Sequence, residues 1–156
     1  MREFFKYEFG YVNIDSKNLY LTNSGNWSEI KNLKEKSVKT ITDNNQRKTW
    51  IFIFLTIASV ILLTILVIHL KSSKISLVLC IGALFAAYKL YKYFQNELGS
   101  KYCIPLKKIS SIELNDKNAV IHFKDFDNND NSEEVINIGP KGLKVLSEVN
   151  LLLFKK

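Results

Sequence analysis

The sequence predicts a membrane α+β protein in which a two-helix transmembrane hairpin is inserted into a split antiparallel β domain that closes with a C-terminal helix. Three observations predict it. Two long apolar runs, residues 50–70 and 75–95, are separated only by the polar stretch 71–74. The chain on either side of them alternates apolar and polar residues as half-buried strands do. The last turns, from about 141 to 154, bring Leu143, Leu146, Val149 and Leu153 round at helical spacing.

Residues 1–25 begin the β domain. Phe5, Tyr7 and Phe9 alternate with Lys6 and Glu8, Val12 and Ile14 resume the pattern past Gly10, and "DSKN" supplies turn residues before Leu19 and Leu21. This reads as a strand pair, which by itself is only marginally stable in water. Residues 26–49 form a juxtamembrane segment in which Trp27, Ile30, Leu33, Val38 and Ile41 suit one helical face. Two readings stay open for it. It is a connecting helix packed on the sheet, or it lies on the membrane with Trp27, Lys31 and Lys34 at the surface, each lysine contributing about 1 kcal/mol toward anionic headgroups.

The first run, 50–70, holds 21 residues without a formally charged side chain and spans roughly 31 Å as a helix, the thickness of a bilayer core. The second is weaker, because Lys89 interrupts it after about 14 residues, or roughly 21 Å. To cross, it must hold Lys89 and Lys92 near the interface, with Tyr88 and Tyr91 in an aromatic belt there; otherwise it dips in and returns. Ten basic residues flank the outer ends of the two runs, against Lys71 and Lys74 between them. The connecting stretch 71–74 is therefore an external loop and both termini are cytoplasmic. Gly82 with Ala86, Ala83 with Ala87, and Ala58 beside Ser59 are small residues at spacings that allow close helix approach, within one hairpin or between copies in a homo-oligomer.

Residues 96–156 supply the rest of the β domain. Ile109, Ile112 and Leu114 mark one strand, "AVIHFKDF" a second and "EEVINI" a third, before "GPKG" breaks the chain ahead of the final helix. Neither flanking piece has enough strands alone. A helical hairpin returns the chain about 8–10 Å from where it left, which suits neighbouring strands of one shared sheet.

With "GYVNIDSKNLYLTN" before the hairpin and "IPLKKISSIEL", "NAVIHF", a further strand and a closing helix after it, the chain resembles the bacterial pleckstrin-homology-like domains of small membrane proteins. The resemblance implies an open β barrel and a location in the bacterial inner (cytoplasmic) membrane. It also makes anionic or phosphorylated ligands the class to test, with Lys107 and Lys108 as candidate ligand-binding residues; a solvated role for the same lysines stays open. Two spans joined to a β-rich sensor also resemble antiphage effectors that respond to a cyclic nucleotide and disrupt the inner membrane by oligomerising.

The remaining motifs fail as chemistry. "DFDNNDNSEE" has Asp130 and Ile136 where a calcium loop needs glycine and glutamate, so it reads as a hairpin turn. His69 and His122 have no nucleophile at a recognisable spacing, and the ligands for a metal are too few. Cys80 and Cys103 sit in different environments, a poor setting for a disulfide. The net charge of +7 is spread over both cytosolic pieces and interleaved with acids, which suits a membrane surface better than a nucleic acid polymer. The expectation is a non-enzymatic protein with no cofactor, whose partners are the bilayer, an anionic lipid or nucleotide ligand, and further copies of itself.

Overall fold

A computed structural model describes residues 2–69 and 73–154. It is an α+β structure with two antiparallel sheets and a packed C-terminal helix. The first sheet is a meander of four strands: β1 (Glu3–Tyr7), β2 (Gly10–Ile14), β3 (Asn18–Thr22) and β4 (Tyr102–Pro105). The N-terminal piece thus holds three strands where the alternation suggested a pair. Glu8 and Phe9 form a tight turn, and Gly10 has φ +155°, a backbone setting that favours glycine. A Cβ on Gly10 would strike the Thr22 carbonyl oxygen. The next turn is held by Asp15, whose Oδ1 accepts the backbone N–H of Lys17 (2.7 Å) and Asn18 (2.8 Å) while Oδ2 accepts the Tyr20 hydroxyl (3.0 Å).

Strand β4 lies antiparallel beside β3, with Leu19 opposite Ile104 and Leu21 opposite Tyr102. The strand that follows the two long helices is therefore the neighbour of the strand that precedes them. The sequence reading did not separate β4 from its surroundings, because it is four residues long and ends in Pro105.

The second sheet holds β5 (Ile109–Asn115), β6 (Asn118–Lys124) and β7 (Asp130–Val135) in order. Asp116 turns β5 into β6 with φ +32°. Between β6 and β7, Asp125 Oδ1 accepts the N–H groups of Asp127 and Asn129, each at 2.9 Å, and Asn128 sits at φ +64°. Strand β7 starts three residues before the "EEVINI" segment and ends at Val135. Beyond it the Ile136 carbonyl leaves the ladder to accept the Glu8 N–H (3.0 Å), which ties the second sheet to the first.

Helix α3 (Pro140–Phe154) opens on proline, which has no N–H to lose at a helix start. Val145, Leu146 and Val149 are buried against β1 and β5, and the Asn150 side chain bonds both the N–H (3.3 Å) and the carbonyl (3.1 Å) of Ile112. The core between the sheets and α3 gathers Val12, Ile14, Leu19, Ile104, Ile121 and Leu146 with no measurable exposure.

The interruption between β3 and β4 contains α1 (Val38–His69) and α2 (Ser73–Phe94). Segment 26–49 is not one amphipathic helix. It is a 3₁₀ turn (Glu29–Asn32), an extended stretch, and then the first turns of α1. Ser37 caps α1 reciprocally, its N–H donating to Thr40 Oγ1 (2.6 Å) and its Oγ accepting the Thr40 N–H (3.3 Å). The extended stretch is committed elsewhere: the Lys34 carbonyl accepts the Cys103 N–H (2.8 Å) and Glu35 runs parallel to β4. Of the expected external loop 71–74, Ser73 and Lys74 already belong to α2, while Lys71 and Ser72 lie outside the described residues, as do the side chains of His69 and Cys80.

Phe54 of α1 meets Phe94 of α2 edge to face, with ring centroids 5.7 Å apart, so the two helices run antiparallel. Among the described residues one helix, over Val38–Ile65, is long and apolar enough to cross a membrane. Its side chains Phe52, Phe54, Ile57, Ile61 and Leu63 are all more than half exposed, far more apolar surface than a monomer in water leaves open.

Leu146 is the test of this core. Leu146→Ala is expected to lower stability by about 2–5 kcal/mol, read by denaturant melting of the detergent-solubilised protein, whereas Leu151→Ala, on the exposed side of α3, is expected to change it by less than about 0.5 kcal/mol.

Candidate functional site

Side chains converge where α1 rises from the β domain, between the two sheets. Lys36, only 9% exposed, comes from the extended stretch before α1. Its ammonium donates to Glu133 Oε2 of β7 (3.2 Å) and to the Ser132 carbonyl (3.1 Å), and lies 5.2 Å and 5.3 Å from the ring centroids of Tyr102 and Phe123. The Tyr102 hydroxyl of β4 donates to the same Glu133 oxygen. One carboxylate thus links β4, β7 and the root of α1. Burial, reinforced by the Glu133 charge, pushes the phenols of Tyr102 and Tyr7 well above their ordinary range, so both stay neutral.

A second set of contacts lies one to two turns along α1. Asn44 is buried and clasps Lys101 from both sides, Nδ2 donating to its carbonyl (3.3 Å) and Oδ1 accepting its N–H (3.2 Å). Arg47 donates to the Gly99 carbonyl (2.5 Å). Glu97 lies 3.3 Å from Lys101 and 4.0 Å from Arg47. Burial alone would raise the Glu97 carboxyl, yet Asn23, Lys101 and Arg47 outweigh it and hold it below the ordinary value. Both sets couple the start of α1 to the strand that follows α2.

The extended stretch works as a strap across the sheets. Besides Lys34 on Cys103, the Lys36 carbonyl accepts the Phe126 N–H (2.9 Å) from the β6–β7 loop. Lys108 fastens the same place, its ammonium reaching Glu35 Oε2 (2.7 Å) and the Asp125 carbonyl (3.0 Å) beside the Phe126 ring. Lys107 points elsewhere. It is exposed on the rim of a mainly apolar groove of about 680 Å³ between the β2–β3 turn, Leu106 and the last turns of α3, at the end of the domain away from the helices. The two lysines paired in the sequence therefore do not line one pocket.

The other sequence candidates are scattered. Trp27 is half-buried under the Arg2 guanidinium, 5.3 Å from its ring, and Lys31 and Lys34 are exposed. Tyr88 and Tyr91 are exposed on α2. The Phe54–Phe94 register sets Lys92 and Lys89 about level with Thr56 and Ser59, roughly 9 and 14 Å along α1 from Trp50. Lys92 turns back toward the domain to meet Gln95 Oε1 (3.0 Å), whereas Lys89 leans the other way, 5.3 Å from the Phe85 ring. The lean of Lys89 follows the tilt of every Cβ toward its own helix N-terminus. Of the small residues, Ala83 is buried; Gly82, Ala86 and Ala87 are exposed, Ala58 is half-exposed, and the Ser59 hydroxyl bonds its own helix at the Leu55 carbonyl (2.8 Å).

Sequence reasoning missed Lys36, Glu133, Tyr102, Asn44 and Arg47 as a group. Lys36 and Glu133 are 97 residues apart, and each stands in an unremarkable polar run.

Comparison with known protein families, with curated proteins and with solved structures finds no match for the chain.

Lys36→Met is expected to destabilise the protein by about 3 kcal/mol, since it strands a largely buried carboxylate; Glu133→Gln keeps an acceptor for Tyr102 and should cost less, both read by denaturant melting. For acid, the sign follows from Glu97, Asp15 and Asp125, all held below their ordinary values. Their contribution is present above the unfolded carboxyl pKa of about 4 and is lost as pH falls through their lower folded values. Circular dichroism between pH 5 and 2 should show this loosening, and Glu97→Gln should blunt it.

Proposed function

We propose that the chain is a non-enzymatic, two-pass protein of the bacterial inner membrane, both termini cytoplasmic, whose split pleckstrin-homology-like β domain binds a ligand or partner and couples it to the helical pair. The single observation that carries this reading is the pairing of β3 with β4: the strands from which the helices depart and to which they return are hydrogen-bonded neighbours. A change in that sheet, or in the strap across it, is felt at the roots of both helices together.

Other features support the parts of the reading. Seven strands in sheets of four and three, closed by a C-terminal helix, suit the pleckstrin-homology-like resemblance. Helix α2, 22 residues long, has a length of roughly 33 Å, enough to cross beside α1. Trp50 and Tyr93 are exposed toward the end of the helical pair nearest the β domain, where an aromatic belt would meet the headgroups, while Tyr91 and Tyr88 fall level with Ile57 and Val60, roughly 10 and 15 Å along α1 from Trp50. The ionisable groups of the junction are paired or kept neutral by burial, a setting that holds structure together and leaves no poised acid, base or nucleophile.

The antiphage-effector reading, a cyclic-nucleotide sensor that disrupts the membrane by oligomerising, is favoured by one observation. Gly82 and Ala86 are exposed on α2, and a Cβ on Gly82 would meet nothing within 4 Å. That leaves a close-approach face free for a second copy. Inducible expression with a membrane-potential dye separates the two: depolarisation that Gly82→Leu abolishes supports the effector, and unchanged potential supports the sensor.

Topology gives the direct test of the first reading. In a Cys103→Ser background, Ser73→Cys is expected to react with a membrane-impermeant maleimide in intact cells, and Lys17→Cys only after permeabilisation. Labelling of Lys17→Cys from outside, or of Ser73→Cys only after lysis, would overturn it.

A further inference from the structure

A concave surface of about 330 Å³ runs along the first three turns of α1, lined among others by Lys34, Lys39, Thr40, Asp43, Arg47 and Lys101. Four of these six side chains are cations and one is an acid. Arg47 and Lys101 share a single carboxylate, Glu97. Among the described residues Lys34 and Lys39 have no ion-pair partner, and both are exposed. The trough therefore carries a local excess of positive charge that the fold does not neutralise.

Its height fixes what can enter. Trp50 is 64% exposed, and an exposed tryptophan at the start of an apolar helix sits at the membrane–water boundary. Arg47 lies roughly 4.5 Å below it along α1, Asp43 roughly 10 Å and Thr40 roughly 15 Å. The headgroup layer of one leaflet is about 5–8 Å deep. Arg47 thus stands within that layer and Lys101, clasped by Asn44 roughly 9 Å below Trp50, at its lower edge. Lys39 stands roughly 16 Å below Trp50, about one Debye length beneath the layer, and Lys34 lies still further along the sheet beside Cys103, so both act on a headgroup through their charge. The geometry also gives the trough rigidity: Asn44 locks α1 to Lys101 on one wall, and Lys34 is strapped to Cys103 on the other.

We infer that this trough binds the headgroup of an anionic phospholipid, its phosphate at Arg47 and Lys101 and its further polar groups toward Lys34 and Lys39. The inference rests on α1 being a membrane-spanning helix. The trough is separate from the groove beside Lys107 at the far end of the domain, so the two can be perturbed independently. Guanidinium and ammonium groups at fixed spacing favour a phosphate oxygen over a zwitterionic headgroup, whose own cation would be repelled. Occupancy would brace the root of α1 against the strand that follows α2, which makes lipid composition an input to the coupling described above.

The test uses the full chain in mild detergent with Trp27→Phe, so that Trp50 alone reports. Dioctanoyl phosphatidylglycerol is expected to shift its emission saturably, dioctanoyl phosphatidylcholine to do so weakly, and inorganic phosphate at equal concentration to leave it unchanged. Lys34→Ala with Lys39→Ala is expected to weaken the phosphatidylglycerol response several-fold, each lysine contributing less than the about five-fold of a cation at the surface itself, while Lys107→Ala leaves it as it was. Equal responses to the two lipids, or a double variant indistinguishable from the parent, would overturn the site. A phosphate response matching the lipid's would make the ligand a soluble anion and overturn the lipid assignment. Alkaline extraction of membranes separates the levels of failure: protein released into the supernatant refutes the membrane reading and this site with it, whereas protein that stays in the pellet yet shows no lipid preference refutes the site alone.

Discussion

Two adjacent strands in a sheet are about 4.8 Å apart, whereas two packed helices are about 8–10 Å apart. Strands β3 and β4 are paired residue by residue, and the helices inserted between them must open out from that narrower spacing. The two connections absorb the difference unequally. On the return side, the 3₁₀ turn Gln95–Leu98 and a few residues lead directly into β4. On the outgoing side, residues 23–37 wander past a 3₁₀ turn and then lie along β4, with Glu35 parallel to Cys103. The slack of the longer connection is thus used to cover the open edge of the first sheet, which would otherwise present unpaired backbone groups.

That covering strap explains why so polar a cluster sits where the two sheets meet. Lys36 reaches inward from the strap because its own backbone is already committed to Phe126, and Glu133 and Tyr102 answer it from opposite sheets. A buried ion pair adds little net stability over an apolar filling of the same volume. What it adds is direction: a lysine, a carboxylate and a phenol fit together in one arrangement, whereas leucines would tolerate several. The junction thereby ties the root of α1 to both sheets at once.

Much of the fold was legible because it follows from patterns of period 2 and 3.6. The buried face of α3 was visible in Leu143, Leu146 and Val149, and the β5 and β6 strands in their branched residues. The turn at Glu8 and Phe9 was also written in the sequence, since the inward positions change from odd (Phe5, Tyr7) to even (Val12, Ile14) across it; a continuous strand keeps its parity. Strand β4 was hidden by its length, with a proline at its end and the aromatic tail of α2 just before it. The start of α1 was misplaced because hydropathy marks where a helix turns apolar, not where its backbone begins, and the Ser37–Thr40 cap lies three turns earlier. The polar junction was not legible, because its members come from three separate segments and each looks like an ordinary surface residue until the sheets close around it.

The position of β4 has a consequence for biosynthesis. Leu21 and its partner Tyr102 are separated by both apolar helices, so a ribosome adding about 5–20 residues per second needs roughly 4–16 s to supply the missing edge. During that interval β1–β3 stand as a three-stranded fragment whose last strand exposes a row of unsatisfied amides and carbonyls. The last strand of that fragment waits for both helices to be made before its partner arrives.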